Sequence, residues 1–238
     1  MRRLLLVAAL ALAGFPPPAA AEAAPRLEAP HYDFDRATIR KGAELFAQRC
    51  FACHSVAHIR YQRLETDLGM PLGTLEDDIM LPSDARIHQG MVSAMRPQDA
   101  AKWFGVAPPD LTLEARYRGI DWIYTYLKSF YRDPKRPTGF NNHVFKNVAM
   151  PDVLEPLQGI LAADGRVIKK GSVSPQQFDR DAADITAWLQ YTSDPSKLER
   201  EALGPWVIGF LAVFTLLAYA LKRVVWRRVH RGASQAGS

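Results

Sequence analysis

Cys50-Phe51-Ala52-Cys53-His54 decides how this chain is read, because it holds both cysteines of the 238 residues. Paired thiols three positions apart, followed directly by an imidazole, form the attachment sequence of a c-type haem. The spacer sets the sulfurs near the separation of the porphyrin vinyl groups, and the adjacent imidazole then falls beneath the iron. Rival chemistries use the same residue types. A thioredoxin-like pair wants a preceding strand and a βαβ context, and no such pattern stands before Cys50. A zinc site wants further cysteine or histidine ligands at suitable spacing, and none cluster along the chain. The expectation is one covalent haem on Cys50 and Cys53, with His54 as an iron ligand.

Outward from the motif, residues 38–50 read as a helix. Ile39, Gly42, Ala43, Phe46 and Cys50 recur at helical spacing, Thr38 is the expected cap, and Gly42 with Phe46 marks a face open to close approach by another helix. Downstream, residues 62–107 show little periodicity and carry the acidic cluster Glu65, Asp67, Glu76, Asp77 and Asp78. Such a cluster is ordinarily solvated surface, and on an electron carrier it could attract a basic partner. Asp110 is expected to cap a helix over 111–117, with Gly119 as an interruption. A second helix over 121–131 would gather Trp122, Ile123, Tyr126, Leu127 and Phe130 on one face and stop at Asp133-Pro134. Asp164-Gly165 between apolar pairs predicts a hairpin. Ser174, Pro175 and Gln177 open a last helix as cap, first residue and capping-box partner. Its apolar face, Phe178, Ala182, Ile185, Trp188 and Leu189, would meet the Gly42/Phe46 face beside the haem.

Both ends of the chain are set apart. Arg2 and Arg3, an apolar run from Leu4 to Phe15 and the small residues up to Ala23 form the layout of an export signal over residues 1–23, with cleavage after Ala21 or Ala23. Near the other end, Gly204 to Leu221 carries no charge. As a helix that stretch is about 27 Å long, close to the ~30 Å apolar core of a bilayer. With Lys222 and Arg223 snorkelling, it is expected to span a membrane over residues 203–226. Trp206 and Trp226 stand where interfacial aromatics belong, and Lys222, Arg223, Arg227, Arg228 and Arg231 would keep the tail, residues 227–238, in the cytoplasm. Residues 24–200 then lie in the periplasm of a bacterial inner membrane protein. The formal net charge of +5 sits largely in this tail and the signal. The remainder is near neutral, which gives nucleic-acid binding no support.

A low-spin electron-transfer haem takes a second protein ligand, usually methionine or histidine. The downstream choices are Met70, Met80, Met91, Met95 and Met150, with His58, His88 and His143. Met70 and Met150 stand out because each precedes a proline, which stiffens an extended loop. Spacing alone does not choose between them.

Several further stretches together resemble the cytochrome c1 family, the haem subunit of the ubiquinol–cytochrome c reductase (cytochrome bc1) complex. They are Ile39-Arg40-Lys41-Gly42, the haem motif with Ser55, Tyr61, Pro108-Pro109-Asp110-Leu111, Ala115-Arg116, Gly119, Asp121, Phe140-Asn141 and Ala149-Met150-Pro151, followed by the single C-terminal span. Gln62 departs from the arginine relatives often carry, and no cysteines remain for the extra disulfide of some bacterial members. The resemblance implies a mostly α fold: a class I cytochrome c-like haem domain with enlarged loops and a small β-hairpin, plus one C-terminal transmembrane helix. It implies Met150 as the axial ligand opposite His54, and Arg116 near a haem propionate. It also implies a complex with cytochrome b and the Rieske iron–sulfur protein, which would supply the electron, and cytochrome c as acceptor. The chain would be an electron-transfer subunit, not catalytic by itself. A free-standing anchored cytochrome, a five-coordinate haem protein and a thiol oxidoreductase are the competing readings.

Overall fold

In the computed structural model, residues 25–80 and 85–235 are described; the expected export signal lies outside them. Helix α1, Arg36–Arg49, delivers the haem motif at its C-terminal end. Its cap is Asp35, not Thr38: the Asp35 carboxylate accepts from the Thr38 backbone amide at 2.8 Å. A carboxylate also suits the positive end of the helix dipole better than a hydroxyl does. Helix α1 crosses α8, Pro175–Ser193. At the crossing Gly42 lies against the Asp184 carbonyl, and a Cβ built there would meet Asp184 C at 2.6 Å and Trp188 Cβ at 2.9 Å. The close approach lets Phe46 lie 6.1 Å from Trp188 and 6.0 Å from Phe51, ring to ring. Phe46 and Trp188 are fully buried. Burying one such side chain stabilises by about 2–3 kcal/mol, and this pair of helices forms the centre of the core.

The described residues of the stretch without periodicity hold three short helices, α2 (Tyr61–Thr66), α3 (Leu72–Asp78) and α4 (Pro97–Phe104). One acidic residue of the cluster there has a structural task. Asp67 accepts from the Tyr191 hydroxyl at 2.7 Å and from Arg63, tying α2 to α8. Burial alone would raise its carboxyl, but the hydrogen bonds from Tyr191, Arg63 and Thr66 outweigh burial and hold it below the usual range.

The expected helix over 111–117 shrinks to α5, Glu114–Arg118. Asp110 does not cap it: its carboxylate accepts instead from the Thr112 and Ala57 amides. Gly119 does interrupt, at φ +87°, where a side chain would strain the backbone. Helix α6, Ile120–Lys128, ends earlier than the sequence suggests. The Asn142 side-chain amide donates to the Tyr126 carbonyl at 2.9 Å, taking the acceptor that another turn would use. The chain then runs extended.

Among the described residues strands form three separate antiparallel pairs: β1 (Val56–Arg60) with β2 (Gly90–Met91), β3 (Phe130–Arg132) with β4 (Phe140–Asn142), and β5 (Gly159–Leu161) with β6 (Val167–Lys170). The last is the expected hairpin, turning at Gly165 with φ +82°; the other pairs join distant segments or fall in a stretch that reads as loop. The short helix α7, Glu155–Gln158, precedes it. In α8, Ser174 caps as expected, but Gln177 bonds Asp181 at 2.7 Å instead of reaching back. A single helix, α9, Lys197–Gln235, ends the described chain. It is long and apolar enough to cross a membrane. Its apolar side chains, among them Trp206, Phe210, Phe214 and Leu217, are exposed, as a lipid-facing span requires. The fold is mostly helical, with one C-terminal apolar helix.

Candidate functional site

The C-terminal end of α1 opens directly onto the site. The Cys53 and His54 amides both donate to the Cys50 carbonyl, at 3.0 and 2.9 Å, so the motif coils into a turn that continues the helix. This turn brings Cys50, Cys53 and His54 to one wall of a cavity of about 410 Å³, with Met150 on its lining as well. Trp122, Tyr126, Ile185 and Leu189 supply apolar walls from α6 and α8. Among the described residues no group of three or more His, Cys, Asp or Glu could hold a metal ion.

The electrostatics favour a ligand role for His54 over redox chemistry at the thiols. Burial pushes the Cys50 thiol up to about 12, with the neighbouring Cys53 adding to the effect, and burial raises Cys53 too. A thiol so raised is a poor nucleophile at neutral pH, unlike the depressed thiols of dithiol oxidoreductases. Burial lowers His54, against smaller opposing contributions from Pro109, Glu114 and Asp110. Its ring is therefore neutral at pH 7. Nδ1 lies 2.9 Å from the Pro109 carbonyl. A carbonyl only accepts, so Nδ1 carries the proton and Nε2 keeps its lone pair for a metal. The role of Pro108-Pro109 follows: it presents a carbonyl with rigid geometry, while the Leu111 amide bonds the Ser55 carbonyl at 2.8 Å and holds that loop against the motif.

Met150 is placed by a different set of residues. Asn142 is fully buried and accepts from the Val144 and Phe145 amides and the Ser129 hydroxyl. Asn141 accepts from the Asn147 amide and donates to Asp133. Arg136 donates to the Asn147 carbonyl at 2.7 Å. These bonds shape the turn that leads to Met150, and Phe130, Phe140 and Val148 pack beneath it. The Tyr126 hydroxyl reaches the Met150 sulfur at 3.2 Å. Burial raises this phenol above its ordinary range, so it stays protonated. Met70, the other candidate, is buried in the main core and does not line the cavity.

Arg116 is not among the residues that line this cavity. Its side chain is exposed, and its charge acts on Asp194, whose carboxyl is held at about 2 chiefly by hydrogen bonds from Arg200 and Ser196. Arg118 lines the cavity instead, its guanidinium 4.4 Å from the Trp122 ring centroid. Successive helical residues turn by about 100°, so positions two apart face nearly opposite ways. Sequence reasoning missed Arg118, Asn142 and the carbonyl of Pro109. Arg118, Trp122, Tyr126 and Phe130 share one stripe at i, i+4 spacing, a signal that could have been extended back across Gly119.

The donor set fits a haem: a neutral imidazole with a free Nε2, a thioether on the same cavity and apolar walls between them. Comparison with known proteins agrees. The profile of the Cytochrome C1 family matches residues 26–229. The chain belongs to the cytochrome c1 family. Cytochrome c1 of Allochromatium vinosum is 41% identical, over 97% of this chain and 100% of that protein. A protein of Nitrosomonas europaea named ammonia monooxygenase gamma subunit is 38% identical, over 82% of this chain and 85% of its own length. A protein of Bradyrhizobium diazoefficiens named cytochrome b/c1 is 25% identical over 84% of this chain, which spans 34% of that longer protein. Cytochrome c1 proteins are haem subunits of the bc1 complex, and a single apolar C-terminal helix suits a membrane-anchored member.

Proposed function

We propose that this chain carries one covalently bound haem c and relays single electrons from a Rieske iron–sulfur protein to a cytochrome c, as a subunit of a complex with cytochrome b. The observation that carries this is the His54 imidazole, neutral and with its Nδ1 proton committed to Pro109, facing the same cavity as Met150. The bound haem would supply reversible one-electron chemistry at iron. Cys50 and Cys53 would fix the porphyrin by thioether bonds, His54 and Met150 would be the iron's protein ligands, and the apolar walls from α6 and α8 would exclude water. Arg49 and Arg118, both on the cavity lining, are cations that would offset a haem carboxylate, and Arg116, one turn from Ile120 on the neighbouring stretch, stays a further candidate for that role. The haem domain, residues 24–200, would face the periplasm. The export signal and the basic residues after the span support that orientation.

The test is purification from membranes in mild detergent after haem maturation. A haem-staining band on a denaturing gel, with cytochrome b and a Rieske protein co-purifying, is the expected result. No covalent haem defeats the reading; co-purification with an ammonia monooxygenase instead would assign the chain to the assembly named for its Nitrosomonas relative. Met150→Leu should keep the haem attached but lose the near-infrared band of methionine–iron ligation.

A further inference from the structure

We propose that Tyr126 is a positioning residue for the methionine ligand, its hydroxyl orienting the Met150 thioether and raising the reduction potential of the site. This rests on the haem reading above. The contact is direct: the Tyr126 hydroxyl donates to Met150 Sδ at 3.2 Å.

The phenol is held rigidly for this task. Its ring stacks on Trp122 at 5.0 Å between centroids with an 8° interplanar angle, and meets Phe130 edge-on at 5.1 Å. Its carbonyl is engaged by Asn142, the same side chain that shapes the turn leading to Met150. One asparagine therefore ties the donor and its acceptor into a single unit.

A thioether sulfur has two lone pairs. A hydrogen bond to one of them selects which remains for a metal, and so fixes the handedness of ligation. It also draws electron density from the sulfur. Ferric iron depends on donated density more than ferrous iron does, so a hydroxyl on the sulfur disfavours the oxidised form and raises the potential. Sulfur is a weak acceptor, so the effect is modest.

The experiment uses the full chain, matured with haem and solubilised in detergent, with Tyr126→Phe compared against Tyr124→Phe. Phenylalanine keeps the Trp122 and Phe130 ring contacts and removes only the hydroxyl. Tyr124 is the control because its hydroxyl contacts Lys128 at 3.2 Å, away from Met150. At fixed ambient potential, Tyr126→Phe should lower the ratio of reduced to oxidised protein by roughly threefold, or about 28 mV for a one-electron couple. The methionine–iron band should persist, and Tyr124→Phe should leave the ratio unchanged. A haem-loaded Tyr126→Phe that loses the methionine band would also support the positioning role. An unchanged or raised ratio in Tyr126→Phe, or an equal fall in Tyr124→Phe, overturns it. A wild-type protein without haem, or without the methionine band, would instead overturn the haem reading on which the proposal stands.

Discussion

Replacing Gly42 with alanine tests whether the α1–α8 crossing controls the stability of the haem domain. The added Cβ would collide with the Asp184 carbonyl and sit 2.9 Å from Trp188 Cβ. Most of the obstruction is main chain of α8 and cannot rotate aside, so the helices must separate or tilt. Overpacking against yielding side chains costs about 1–3 kcal/mol, and a rigid backbone puts the cost at the upper end. Alanine also favours the helix over glycine by about 1 kcal/mol, which acts in the opposite direction. The net loss is about 2 kcal/mol, or a fall in Tm of about 4–8 °C for a domain of this size. Thermal unfolding of the haem-loaded protein in detergent, followed by far-ultraviolet circular dichroism, measures it. Gly73→Ala is the internal comparison, since a Cβ at Gly73 meets nothing within 4 Å. That variant should hold its Tm or gain slightly. A Gly42→Ala protein as stable as the wild type would refute the argument from close approach.

Tyr191→Phe removes a part-buried hydrogen bond to the Asp67 carboxylate and should cost about 1.5 kcal/mol at neutral pH. Asp67 has a depressed pKa in the fold, so its contribution is present above the unfolded value of about 3.9 and is lost as pH falls through the folded value. The stability gap between wild type and Tyr191→Phe should accordingly narrow on acidification through that range in denaturant titrations; a gap independent of pH would contradict the assignment. Asn142→Ala leaves the Val144 and Phe145 amides without their acceptor, a loss of about 2–4 kcal/mol. It should reduce the fraction of protein showing the near-infrared methionine–iron band even where haem remains attached, and full retention of that band would show that Met150 is placed without it.

The sequence was informative where one local rule governs. Helix α1, helix α8, the hairpin at Asp164-Gly165 and the apolar C-terminal helix each carry their own periodicity or turn signal. Cys50, Cys53 and His54 were legible because their chemistry lies within five consecutive residues. Met150 could not be separated from Met70 by spacing, since both precede proline; what distinguishes them is the turn built by Asn141 and Asn142, whose partners are scattered from Tyr126 to Asn147. The early end of α6 was hidden for the same reason, because a side chain sixteen positions away takes the Tyr126 carbonyl. Arg116 and Arg118 show how far a two-residue offset matters on a helix, where composition is identical and direction is opposite. Asp35 was overlooked as a cap because Thr38 is also a capping residue type, and only the hydrogen bond tells them apart.

Helix α8 ends at Ser193 and α9 begins at Lys197, with Arg200 paired to Asp194 across the joint at 2.7 Å. From there the backbone stays helical through the apolar stretch, and Pro205 deprives only the Glu201 carbonyl of its helical partner. Only residues 194–196 separate the two helices, a joint of at most about 11 Å of extended chain. A domain joined to its membrane helix by so short a leash would stay close to the bilayer, so any longer journey between donor and acceptor would fall to the molecules that visit it.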